Sequence, residues 1–181
     1  MRGCFRFFAG LTISAYMLVA HSAAQPRQPS LKPGDMLPPL AGQALTEKWL
    51  DVTSDVRGKP EVVVFSFTRA GGSDAQLWTQ HLTRDNPNLA VYNVIFLESV
   101  PRLFRGMAVS GIKGGMPKAL HGRTVLLYRD EDLWKHQLHV ANERDACVML
   151  LGTSSRIQWM TPGPFADGRY SELSKSIRAL H

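Results

Sequence analysis

The sequence predicts a single α/β domain with a central mixed sheet flanked by helices. Three observations carry that prediction. Glu61 to Phe67 (EVVVFSF) is a continuous β-branched and aromatic run suited to a strand buried on both faces. Glycines and a helical pattern follow it at once, giving a βα unit. Near the C-terminus, two short apolar runs separated by Ser154-Ser155 read as an antiparallel hairpin, ahead of a last helix.

The elements follow in chain order. Met1 to Arg6 carries two arginines and no acid, Phe7 to Ala20 is apolar, and Ser22-Ala23-Ala24 supplies small residues for cleavage, so residues 1–24 read as a secretory signal peptide. The apolar run is short for a membrane-spanning helix, and an uncleaved anchor is the alternative. Residues 25–39, rich in Pro and Gln, read as a flexible tether to a domain over 40–181. After the strand from Glu61, Ser73 and Gln76 have capping-box spacing, and Leu77, Trp78, His81 and Leu82 share a helical face. Further strands are predicted at Ala90 to Leu97, Thr124 to Tyr128, Cys147 to Leu151 and Arg156 to Met160. A helix is predicted over Glu131 to His139, and Tyr170, Leu173, Ile177 and Leu180 mark a closing helix capped by Asp167.

Composition narrows the function classes. The chain has 181 residues, 44% of them hydrophobic and 20% charged, which excludes wholly disordered and fibrous classes. The formal charge of +6 falls to +4 without residues 1–24, and of the two cysteines only Cys147 then remains, so no intramolecular disulfide is possible. No reader motif for nucleic acid is present. Gly106, Gly111, Gly114 and Gly115 lie near lysines, but neither Gly111-Ile112 nor Gly115-Met116 completes a phosphate-binding loop, and no cofactor is expected.

Gly58-Lys59-Pro60 followed by VVVFSFT, and the mixed sheet behind it, resemble the thioredoxin-like superfamily, especially its exported thiol-oxidoreductase and peroxiredoxin-like branches. The resemblance places the superfamily's Cys-x-x-Cys on Ala70-Gly71-Gly72-Ser73 and its cis-proline near Ala146. Both redox cysteines are therefore absent. That chemistry needs a low-pKa thiolate at the helix N-terminus and a second sulfur one turn away, which Ala70 and Ser73 cannot supply. Pro101 to Arg123, the strand after it, and Arg156-Ile157-Gln158-Trp159 with Gly163-Pro164 resemble the mitochondrial ATP synthase assembly-factor family. That resemblance implies a thioredoxin-like fold without a redox pair, no defined catalytic residues, and a chaperone role toward the membrane sector of the enzyme.

Between Glu98 and Asp130 there is no acid, while Arg102, Arg105, Lys113, Lys118, Arg123 and Arg129 fall there among Leu103, Phe104, Met107 and Met116. Arg102, Phe104, Arg105, Met107, Lys113, Met116, Lys118 and Arg123 form the expected binding surface, for a protein partner such as a membrane-complex subunit or for an anionic membrane surface. A core-packed helix with solvated cations is the competing reading. His136 and His139 have the spacing of a metal pair but lack a recognisable third ligand. Cys147 is the candidate for a one-cysteine thiol oxidoreductase or peroxidase, against packing as a small hydrophobe in the strand CVMLL. Gly71 and Gly72 leave open a small-ligand cleft at the empty redox loop. The expectation is an exported, periplasmic or secreted protein, with a mitochondrial location as an alternative, that works by binding as a chaperone or assembly factor.

Overall fold

A computed structural model of the protein describes residues 29–55 and 58–180. The expected signal peptide lies outside the described residues. The elements run β1 (Ala41–Ala44), β2 (Trp49–Asp51), α1 (Val52–Asp55), β3 (Glu61–Ser66), α2 (Arg69–Asp85), β4 (Ala90–Phe96), α3 (Arg102–Gly115), a 3-10 helix (Lys118–Arg123), β5 (Thr124–Leu127), α4 (Glu131–Gln137), β6 (Cys147–Leu151), β7 (Ile157–Pro162) and α5 (Asp167–Arg178).

The strands form one sheet in the order β2-β1-β5-β4-β3-β6-β7. β3, β4 and β5 are parallel, and the outer pairs are antiparallel. All six residues of β3 are buried, as its uninterrupted apolar run requires of a central strand. Alternation divides the sheet between two layers. Val63, Phe65, Tyr92, Val94, Cys147 and Met149 face Trp134 of α4 and Leu138 just after it. Val62, Val64, Val91, Val148 and Leu150 face Trp78 and Leu82 of α2 and Leu173 and Ile177 of α5. Beyond β4, Leu45, Leu97 and Leu126 form a small separate cluster on which the inner side of α3 rests.

Several local expectations are corrected. Residues 29–39 are docked rather than a free tether: Leu31 and Leu37 are in the core, and this arm pairs with Ser155 to Ile157 at the start of the edge strand β7. Its apolar residues simply lack periodicity. The cap of α2 is Thr68, whose Oγ1 accepts the Gly71 N–H at 3.1 Å, while the Ser73 hydroxyl donates back to the Arg69 carbonyl inside the helix. Leu77, expected on one helical face with Trp78 and Leu82, is exposed. Asp167 is the first residue of α5 rather than its cap, so its charge meets the helix dipole. α4 stops at Gln137, and His139 takes the left-handed conformation.

Candidate functional site

The segment Ala70–Ser73, which lacks cysteine, lies in the first turn of α2, with Gly71 buried while Ala70 and Ser73 face solvent. Besides capping the helix, the Thr68 hydroxyl donates to the Glu143 carbonyl at 2.7 Å. A Cβ on Gly71 would stand 2.8 Å from that same carbonyl oxygen and 3.3 Å from that of Asp145. One turn further, the Asp74 carboxylate accepts the backbone N–H groups of Ala146 at 2.9 Å and Phe165 at 2.8 Å. Gly71 therefore serves close approach to the 143–146 loop, which fills the space on its side of the turn, whereas Gly72 is open. Gly71→Ala should lower stability by about 1–3 kcal/mol by overpacking against backbone. Gly72→Ala, with nothing near its Cβ, should raise it by up to about 1 kcal/mol through helix propensity. Thermal unfolding of the pair checks both signs.

The same loop is tied to the start of α3. Glu143 and Glu131 both pair with Lys135 Nζ at 2.8 Å, and the Glu131 carboxylate accepts the Ser99 N–H at 3.1 Å. Glu98 in turn accepts the Glu131 N–H at 2.8 Å. A chain of bonds thus links the α2 cap to the turn that launches α3. Glu131 and Lys135 have a readable i,i+4 spacing, whereas the bonds of Thr68 and Asp74 run across 72 residues or more.

Cys147 begins β6 opposite Phe65, on the sheet face turned away from α2. It is 1% exposed, and burial pushes its thiol up to about 12. At neutral pH it is protonated and shielded, the opposite of an activated sulfur. In a Cys4→Ser chain, a water-soluble disulfide reagent should label no thiol at pH 7.5 until denaturant is added. Rapid labelling of the native chain would show an open sulfur.

His136 and His139 are exposed, and no group of three His, Cys, Asp or Glu arranged to hold a metal occurs among the described residues.

α3 differs from every other long helix in having no buried residue. Ala108, Val109 and Ile112 rest partly on the Leu45–Leu97–Leu126 cluster. The opposite side carries Leu103, 86% exposed, and Met107, 68% exposed, with Phe104 half exposed beside them. The expected basic surface separates into two groups. Arg105 turns inward, donating to the Val100 and Glu98 carbonyls and lying 5.0 Å over the Tyr128 ring. Lys113 pairs with Glu47 at 3.3 Å, and Met116 is half-buried with its sulfur bonded by the Thr124 hydroxyl. Arg102, Lys118 and Arg123 remain exposed without an ion pair among the described residues. The surface that solvent meets at the start of α3 is therefore Leu103, Phe104 and Met107 beside Arg102, with Lys118 and Arg123 past the other end of the helix. Leu103, the most exposed of these, is the residue the expected set omits.

A family model described as ATP10 protein matches residues 32–180. No curated protein matches the sequence. Among solved structures, the chain is similar to the thioredoxin domain of a thiol-disulfide oxidoreductase from Bacteroides vulgatus, at 19% identity over 82% of this chain and 99% of that one, with a TM-score of 0.57. A peroxiredoxin-like protein from Aquifex aeolicus aligns at 12% identity over 83% and 91%, TM-score 0.53. BsSco, a member of the Sco family of cytochrome c oxidase assembly proteins, aligns at 11% identity over 81% and 96%, TM-score 0.53. At these identities the likeness is one of fold, and the fold is thioredoxin-like.

Proposed function

The chain belongs to the ATP10 protein family, and from that membership we propose that it is a non-catalytic assembly factor that binds a subunit of an ATP synthase-like membrane complex. The observation that carries this reading is the outer face of α3: a helix of 14 residues with no buried side chain, showing Leu103 and Met107 to solvent inside an acid-free stretch. Exposed large apolar residues grouped on one element are the usual mark of a protein or membrane contact. The lack of cysteine in the Ala70–Ser73 turn and the shielded Cys147 agree with action by binding. The leader read in residues 1–24 would carry the chain across a membrane, by export or into a mitochondrion, to the side where such a subunit is exposed. No helix among the described residues is long and apolar enough to cross a membrane.

The test is photo-crosslinking from positions 103 and 107 in native membranes, with mass spectrometry of the products. Capture of an ATP synthase membrane subunit, lost when Arg102 is reversed to Glu, supports the proposal. Capture that is equally strong from position 72 on α2 counts against it. Arg105 and Met116 are unsuitable probes because both are engaged with the body of the domain.

A further inference from the structure

Arg105, Val109 and Lys113 recur every four residues and so form one stripe of α3, across the helix from Leu103 and Met107. The stripe borders a groove of about 310 Å³ between α3 and the β1–β5 pair, with a floor of Ala44, Leu45, Val109 and Leu126. A cation stands toward each end of this apolar floor, and the eight residues from Arg105 to Lys113 span about 12 Å of helix. Arg105 is half-buried and has no carboxylate partner among the described residues. It is held by other means: Nε and Nη2 donate to the Val100 and Glu98 carbonyls, and the Tyr128 ring lies 5.0 Å from the guanidinium. Carbonyls and a ring orient the charge without neutralising it. The Arg105 Nη1 and the Tyr128 hydroxyl make no hydrogen bond among the described residues, and both side chains line the groove. At the other end the chain supplies its own anion. Glu47 Oε1 meets Lys113 Nζ at 3.3 Å, reaching it from a left-handed backbone with φ of 69°. The Glu47 side chain is 77% exposed, so this pair contributes little and exchanges readily.

We propose that this groove binds an acidic peptide segment of a partner protein, with one carboxylate received by Arg105 and Tyr128 and a second replacing Glu47 on Lys113. A guanidinium fixed in orientation, with one nitrogen unused beside a phenol, is already arranged for a carboxylate, so little ordering remains when the ligand arrives. Glu47 is the internal counterpart of that ligand: a carboxylate of this chain occupies one of the two cationic positions. The apolar floor distinguishes a peptide from a free inorganic anion, because it rewards a side chain lying between the two acids. An extended chain advances about 3.3 Å per residue, so acids four residues apart match the two cations. The groove and the outer face of α3 lie on opposite sides of the helix, and neither depends on the other.

The probe is the peptide Glu-Ala-Leu-Ala-Glu, blocked at both termini and carrying a neutral fluorophore, titrated with the full chain by fluorescence anisotropy. Its control, Gln-Ala-Leu-Ala-Gln, should bind about tenfold more weakly. Arg105→Lys keeps the charge but loses the planar fork, and should weaken the Glu peptide about tenfold. Lys113→Gln breaks only an exposed pair, so it should fold as the parent does and bind about threefold more weakly. Glu47→Gly removes the internal competitor and places glycine where φ is positive. It should unfold at no lower temperature than the parent and bind the Glu peptide about threefold more tightly. Equal binding of the two peptides overturns the proposal, as does unchanged binding in folded Lys113→Gln and Glu47→Gly. Three other results also overturn it by naming a different occupant: inorganic phosphate bound where the peptide is not, phosphatidylglycerol vesicles bound by the parent and released by Lys113→Gln, or a homodimer lost in Lys113→Gln. Crosslinks from positions 103 and 107 read the other side of α3, so failure of the assembly-factor reading leaves these titrations unchanged.

Discussion

Asp74→Ala should cost about 3 kcal/mol of folding stability, more than any other substitution on the surface of α2, and a urea unfolding series checks it. One carboxylate accepts two backbone N–H groups, from Ala146 ahead of β6 and from Phe165 ahead of α5. Hydrogen bonds to a charged group contribute about 1.5–3 kcal/mol each, and the substitution leaves two donors without their acceptor near the core. Ala146 is 1% exposed, so water cannot replace the lost oxygen without opening the loop. Asp74→Asn keeps one acceptor oxygen and should lose roughly half as much. A loss below about 1 kcal/mol for the alanine variant would mean that the 143–146 and 163–166 segments hold their places without this bridge.

Glu61 sets the second expectation, a fall in stability as pH rises through neutrality. It opens the central strand, is 6% exposed, and has one carboxyl oxygen buried without a partner. Burial, reinforced by the Asp55 carboxylate and opposed by Arg123, pushes its carboxyl from 4.5 up to about 7. The nearby Tyr92 phenol is pushed up to about 12 by burial and by the same two carboxylates. The folded state therefore holds the Glu61 proton more tightly than the unfolded chain. This contribution is fully present below about pH 4.5 and is lost as pH rises through about 7. At 1.36 kcal/mol per pKa unit the full swing is about 3 kcal/mol. Glu61→Gln, uncharged throughout, should flatten that slope and be the more stable protein at pH 8. Parallel stability curves for the two proteins between pH 5 and 8 would show that Glu61 is solvated in the folded state.

The readable parts of this fold are those whose pattern is local. β3 and β6 are apolar without a break because both faces are covered, and α5 repeats its apolar residues at helical spacing. β1 and β2 carry only AGQA and WLD, too short and too mixed for any period. They are strands because β1 lies against β5, close enough that a Cβ on Gly42 would meet Val125 Cγ1 at 2.7 Å. The cap of α2 is misplaced by five residues for a related reason. Ser73 and Gln76 supply a local capping pattern, while Thr68 is selected by a carbonyl 75 residues away. α3 is readable as amphipathic, but two apolar stripes compete on it. Which one turns inward is decided by Leu45, Leu97 and Leu126 from three different segments, and that choice leaves Leu103 and Met107 outside.

The pairing of β1 with β5 and the docking of the 29–39 arm also govern the order in which the chain can fold. Gln43 meets Leu126, the Leu31 N–H bonds the Gln137 carbonyl and the Gly34 N–H bonds the Ile157 carbonyl, so these N-terminal attachments wait for chain that is synthesised 83 to 123 residues later. The parallel β3–β4 pair, joined by α2, can form first from residues 61–96. Contacts this distant slow folding, because loop closure must precede any reward from pairing. The N-terminal arm and first hairpin thus stay undocked until β5, α4 and the start of β7 have been made.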